Sequence, residues 1–116
     1  MKSELVHLGS RKTINASNIL LLKADTNYTL IYLVDGTEFM TATNLGTLEE
    51  RLKDFNFYRT HRSTLINLNY ISDIERDFFS GNFEVIRMKN NLNIRVARRK
   101  IPDFLRTLQI KSNEYY

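Results

Sequence analysis

Four consecutive aliphatic residues, Ile19-Leu20-Leu21-Leu22, constrain the fold of this 116-residue chain more than any other feature. A run that is apolar at every position has no polar face to leave in water, so it needs cover on both sides. A short helical piece would share this hydropathy, but the length favours a strand. A strand buried on both faces needs partners, and the next segment supplies them. Thr29-Leu30-Ile31-Tyr32-Leu33-Val34 is rich in β-branched and aromatic residues, the composition that suits a pleated surface. Asp35-Gly36 follows at once, then Thr37-Glu38-Phe39-Met40-Thr41. Asp-Gly between two such runs predicts a hairpin with a type I′ turn, whose two central residues both take positive φ.

The period then changes. Leu45, Leu48, Leu52 and Phe55 recur at three- and four-residue spacing, one face of a short helix over about residues 44–54. Thr43 or Asn44 can cap it, and Thr47 with Glu50 also has capping-box spacing. Glu49 and Lys53 form a favourable i,i+4 pair. Beyond it the chain is β-like again: Phe57-Tyr58-Arg59, Thr64-Leu65-Ile66-Asn67, Tyr70-Ile71-Ser72-Asp73-Ile74-Glu75, Phe83-Glu84-Val85-Ile86-Arg87-Met88 and Leu92-Asn93-Ile94-Arg95-Val96. Residues 77–82 and 89–91 read as the turns between the last three. Pro102 suits the first position of a terminal helix, with Phe104, Leu105 and Leu108 on its apolar face. The ends carry little pattern, so residues 1–11 are expected to be a loose arm, 12–109 one domain, and 110–116 a tail. The fold class expected is mostly β: small antiparallel sheets with two short helices. Loops between short strands are where such a domain carries function.

The chain has room for one ordinary domain, too little for a receiver module ahead of an output domain. With no Cys there are no disulfides, thiolate metal sites or cysteine nucleophiles. Two His, His7 and His61, are too few for an all-imidazole metal centre. The four Gly are scattered, so no phosphate loop is present, and no Ser sits in a nucleophile elbow. Asp73, Glu75 and Asp77 alternate along a strand and read as an exposed acidic face rather than a cation site. The chain is therefore expected to be no enzyme, with no catalytic residues, metal, cofactor or small-molecule substrate. No apolar run approaches the length that spans a bilayer, and the N-terminus lacks the apolar stretch of a signal peptide. No membrane association and a cytoplasmic location are expected.

Charge is unevenly placed. Residues 87–106 hold seven basic side chains (Arg87, Lys89, Arg95, Arg98, Arg99, Lys100, Arg106) against Asp103, a local +6 in a chain whose net charge is +4. Such an excess is the footprint expected of a polyanion partner. Three polar clusters stand out beside the apolar strands. Asn27, Tyr28 and Thr29 lie at a strand corner, where they can bond a phosphate or stack on a base. His61, Arg62 and Ser63 belong to the run Arg59-Thr60-His61-Arg62-Ser63-Thr64, and guanidinium suits bidentate recognition of phosphate or guanine. Arg98-Arg99-Lys100 follows the last strand, three cations that repel one another unless solvated or neutralised by an anion.

Together these segments resemble the LytTR DNA-binding domain of bacterial transcription regulators. The resemblance runs through Ile19 to Thr29, Asp35-Gly36, and Ile94-Arg95-Val96-Ala97-Arg98-Arg99. Its most specific block is F-x-R-x-H-R-S-x-x-x-N-x-x-Y-I, from Phe57 to Ile71. The chain departs from the family at Ala97, where Ser is frequent, and at Lys100, where an aromatic is common. The resemblance implies that loops, not a recognition helix, enter successive major grooves of double-stranded DNA. Carried over by motif position, the contacts fall on Tyr28 with Asn27 and Thr29, on Arg62 with His61 and Ser63, and on Arg98 with Arg99 and Lys100. A second copy of the chain is expected to join it on the duplex. The alternatives are a protein-interaction module of the same fold, or a single-strand binder that stacks bases on Tyr28, Tyr58 and Phe79.

Overall fold

The computed structural model describes residues 4–9, 11–76 and 83–113. The turn expected over residues 77–82, with Asp77 and Phe79, lies outside them, as does the end of the C-terminal tail. Ten strands run through the described residues: β1 (Leu5–Gly9), β2 (Lys12–Asn15), β3 (Ile19–Asp25), β4 (Tyr28–Leu33), β5 (Glu38–Thr41), β6 (Phe57–His61), β7 (Thr64–Asn67), β8 (Ile71–Arg76), β9 (Phe83–Met88) and β10 (Asn93–Arg95). Two α-helices join them, α1 (Leu45–Arg51) and α2 (Ile101–Asn113). All pairings are antiparallel, in a β1-β2 hairpin, a five-stranded sheet of order β5-β4-β3-β7-β6 and a three-stranded sheet of order β10-β9-β8. The architecture is the mostly β one expected, and neither helix is long and apolar enough to cross a membrane.

The aliphatic run forms the first half of β3, the middle strand of the large sheet, and it is buried on both faces. Its side chains do not alternate singly. Ile19 and Leu22 point into one core, with Val6, Leu8, Ile31, Leu45, Leu48, Leu52 and Leu65. Leu20 and Leu21 point into the other, with Ile66, Ile86, Met88, Ile94, Val96 and Phe104. The register against β4 slips between Ile19 and Leu21, which marks a bulge that resets the alternation. Beside it, the Asn67 side chain donates to the Ile19 carbonyl at 2.9 Å while its own oxygen accepts from the Asn69 backbone N–H at 3.0 Å. A buried carbonyl at the irregular end of the strand is thereby satisfied.

The first core corrects the expectation of a loose N-terminal arm. Val6 and Leu8 are buried in it, so the β1-β2 hairpin belongs to the domain. Two apolar residues in period two were too short a signal against polar neighbours. Gly9 ends β1 at φ 90°, and a Cβ there would collide with the hydroxyls of Thr41 and Thr43. Helix α1 is shorter than expected, and its cap is Asn44, whose Oδ1 accepts from the Thr47 N–H at 2.8 Å. Lys53 pairs with Glu50 at 2.6 Å, not with Glu49, because the helix has ended before a regular i,i+4 geometry can form. The β4-β5 hairpin exists, but three residues, not two, lie between the pair that closes it, Leu33 N–H to the Thr37 carbonyl at 2.8 Å. Gly36 has φ 91° whereas Asp35 stays at negative φ, so the turn is not type I′. Asp35 instead accepts from the Thr37 backbone N–H and hydroxyl, which lowers its pKa below the usual carboxylate value. Pro102 sits second in α2 rather than first, and Phe104 carries that helix into the second core.

Asn67→Ala is expected to lower the unfolding free energy by about 1–3 kcal/mol, since it strands the Ile19 carbonyl away from water. Equilibrium urea unfolding of the two proteins measures this, and a loss under about 0.5 kcal/mol would mean that the carbonyl has another partner.

Candidate nucleic-acid interface

Three corners of the chain meet at one end of the five-stranded sheet. The first joins β3 to β4 through two residues, with Asp25 opposite Tyr28. Thr26 takes φ 49° there, a left-handed conformation rare for a β-branched residue. Asn27 is exposed, and Tyr28 is 51% exposed. Thr29 is different: adjacent strand residues face opposite sides, so it points inward and is fully buried. Its hydroxyl donates to the Thr43 carbonyl at 2.8 Å. Thr29 braces the corner from inside, on the face opposite the one that Tyr28 presents.

The second corner turns β6 into β7 through residues 61–63. Here Ser63 folds back on His61. Its backbone N–H donates to Nδ1 at 3.3 Å, with the Ser63 hydroxyl on the same nitrogen at 3.0 Å. A backbone N–H can only donate, so Nδ1 is an acceptor and the neutral ring carries its proton on Nε2. Arg59 braces the turn from within. Its Nη1 meets Glu49 of α1 at 2.9 Å, its Nε donates to the His61 carbonyl at 3.3 Å, and its Nη2 donates to the Arg62 carbonyl. With three partners and a largely covered side chain, Arg59 supports the corner, whereas the neighbouring Arg62 is exposed. Thr60 is buried between them, and its hydroxyl has no partner among the described residues.

The third corner is the turn Arg98–Lys100 between β10 and α2. Arg98 and Arg99 are exposed, and their guanidinium groups have no hydrogen-bond or ion-pair partner among the described residues. Lys100 points back instead, and its ammonium donates to the Arg59 carbonyl at 2.9 Å. It closes the corner onto β6, so one of its donors serves the domain itself rather than a partner. The turn itself is closed by the bond from Lys100 N–H to the Ala97 carbonyl at 2.8 Å. Tyr58 secures the start of α2: its hydroxyl donates to Asp103 at 2.7 Å, and its ring packs edge-on against Phe104 at 5.2 Å. Burial, and then the Asp103 carboxylate, push the Tyr58 phenol well above its ordinary pKa. With its ring and hydroxyl both engaged, Tyr58 is no stacking platform.

Backbone hydrogen bonds lock the corners together. Ala24 N–H donates to the Ser63 carbonyl, joining the first to the second, and Ala97 N–H donates to the Thr60 carbonyl, joining the third to the second, both at 2.8 Å. Of the seven cations in the basic segment, Arg87 pairs with Glu75 at 2.7 Å, Arg106 lies 3.7 Å from Asp103, and Lys100 is held by Arg59. Lys89, Arg95, Arg98 and Arg99 stay exposed. The structure also gathers residues that the sequence clusters left out. Lys23 on β3 and Asn93 and Arg95 on β10 line a shallow cleft of about 190 Å³ beside His61. Their signal was present in the sequence: Lys23 interrupts an apolar strand, and Asn93 and Arg95 alternate with buried residues and so face outward.

A family model described as the LytTr DNA-binding domain matches residues 9–109. The chain is 29% identical over 102 residues to the sensory transduction protein LytR of Staphylococcus saprophyticus, covering 88% of this chain and 37% of that protein. It is 38% identical over 56 residues to the sensory transduction protein LytT of Oceanobacillus iheyensis, covering 48% of this chain and 22% of that protein. The chain thus spans well under half the length of these curated relatives. Among solved structures, a LytTr DNA-binding domain from Bacillus cereus superposes with a TM-score of 0.72 at 25% identity, over 93% of this chain and 98% of that one.

The inward-turned ammonium generates a prediction. Lys100→Ala is expected to lower stability by about 1.5–3 kcal/mol, the scale of a charged hydrogen bond, and to leave the salt dependence of any DNA binding unchanged. Thermal unfolding and a salt titration check both, and a slope reduced by about one with unchanged stability would return Lys100 to a phosphate.

Proposed function

We propose a function on one premise: the chain belongs to the LytTr DNA-binding domain family. On this reading it binds duplex DNA at a preferred sequence and regulates transcription from the cytoplasm, without catalysing a reaction. Tyr28, Arg62 and Arg98 are the tips, entering the major groove from their three corners. Asn27, His61, Ser63 and Arg99 flank them. The observation that carries this reading is the joining of three exposed corners by the Ala24–Ser63 and Ala97–Thr60 backbone bonds. Corners held in fixed relation bring their side chains to a duplex with little ordering left to do. Arg matches the O6/N7 edge of guanine, so Arg62 and Arg98 are assigned to bases. Tyr28 sets the register. A single-strand binder would need several free aromatic platforms, and Tyr58 is engaged by Asp103 and Phe104, which favours the duplex.

Selection of bound duplexes from a random pool is the direct test, and failure to enrich any motif would defeat the sequence-specific reading. On the selected site, log K is expected to fall with log salt at a slope of about −4 to −5, for four to six phosphate contacts. Arg98→Ala is expected to cost about 1–3 kcal/mol on that site and to relax discrimination at one base position, with little change in melting temperature because the side chain is exposed and unpaired. Equal losses on the selected and a scrambled duplex would move Arg98 from base to phosphate. Two copies are expected to pair on DNA about one helical turn apart while associating weakly when free. Sedimentation with and without the duplex measures this, and a tight free dimer would contradict it.

A further inference from the structure

The cleft beside His61 is built from both sheets. Lys23 reaches it from β3, His61 and Thr64 from β6 and β7, and Asn93 and Arg95 from β10. It lies between the second and third corners, since β10 runs directly toward Arg98. Its chemistry is one-sided. Lys23 and Arg95 are cations, Asn93 and Thr64 can each donate a hydrogen bond, and no carboxylate lines it. His61 adds a donor, because Ser63 occupies Nδ1 and leaves the ring proton on Nε2. Neither Lys23 nor Arg95 has an ion-pair partner among the described residues. Two like charges converging on one hollow, with donors around them, repel unless an anion sits between them. A volume of about 190 Å³ is too small for a base with its sugar to be buried as well. It suits a single tetrahedral anion resting at the surface.

We propose that Lys23 and Arg95, with Asn93 and the Nε2–H of His61, clamp one backbone phosphodiester of the duplex between the Arg62 and Arg98 corners. This rests on the DNA-binding reading and adds to it a site that holds the backbone and reads no base. The clamp draws its cations from two sheets, so it also fixes the spacing of the two corners on the duplex. One phosphate is shared by two cations, so the two charges count once in the salt dependence.

The test uses the full chain with the selected and a scrambled duplex. Lys23→Gln, Arg95→Gln and the double variant are titrated over a range of salt concentrations, after thermal unfolding has shown each to be as stable as wild type. The double variant is expected to weaken both duplexes by the same factor and to make the salt slope shallower by about one. A single methylphosphonate moved along the backbone is expected to weaken wild type roughly tenfold at one position and to leave the double variant nearly unaffected there. Inorganic phosphate at constant ionic strength is expected not to compete. An unchanged slope, a slope shallower by about two, or a loss confined to the selected sequence would overturn the clamp while leaving the DNA-binding reading in place. Competition by inorganic phosphate in wild type but not in the variant would assign the cleft to a free anion instead. Absence of any duplex binding by wild type would remove both.

Discussion

A stretch of strand with no water on either face keeps its backbone satisfied only through partners on both edges, and the first half of β3 is that stretch here. Its edges are taken by β4 and β7, and its two faces by separate cores. The β1-β2 hairpin and α1 cover one face, and the three-stranded sheet and α2 cover the other. Burying one large aliphatic side chain contributes about 1.5–3 kcal/mol, and four consecutive ones on a middle strand set where every other element must pack. The bulge at Leu20 serves this arrangement by sending two residues to each core, and Asn67 neutralises its polar consequence.

The far end of the same strand positions the interface. Beyond Leu22, β3 carries Lys23 beside the cleft and runs to Asp25, where the first corner begins. The bond from Ala24 to Ser63 ties that corner to the next. The irregular backbone of the loops is therefore rooted in the most deeply buried part of the molecule. The left-handed Thr26 is strain of the kind that persists only where surrounding structure overdetermines it, and the paired strands on either side provide that.

Charge in this protein divides by partner rather than by sequence position. Arg59 and Lys100 sit within motifs rich in cations, yet both spend their donors on carbonyls or a carboxylate of the domain itself. Each is partly covered, so loss of a partner would leave a charge short of solvent. Arg62, Arg98 and Arg99, their immediate neighbours in the chain, are exposed. The braced cation in each corner holds the backbone from which the free one projects, and this division gives a short loop both rigidity and reach.

Period and composition alone determined the kind of fold. The two-sided burial of the Ile19–Leu22 run, the strand pattern, the helical face of Leu45, Leu48 and Leu52, and the three polar corners all follow from local hydropathy and turn chemistry, which the chain carries within a few residues. Other features needed contacts distant in sequence. Whether Leu20 faces the same side as Leu21 depends on a bulge against β4. Whether Val6 and Leu8 form a strand depends on the core waiting for them. Whether Lys100 faces DNA or the Arg59 carbonyl, 41 residues away, depends on how α2 docks. A side chain's type states what bonds it can make. Which bond it makes is decided by the partner that folding brings within about 3 Å, and only the tertiary structure supplies that distance.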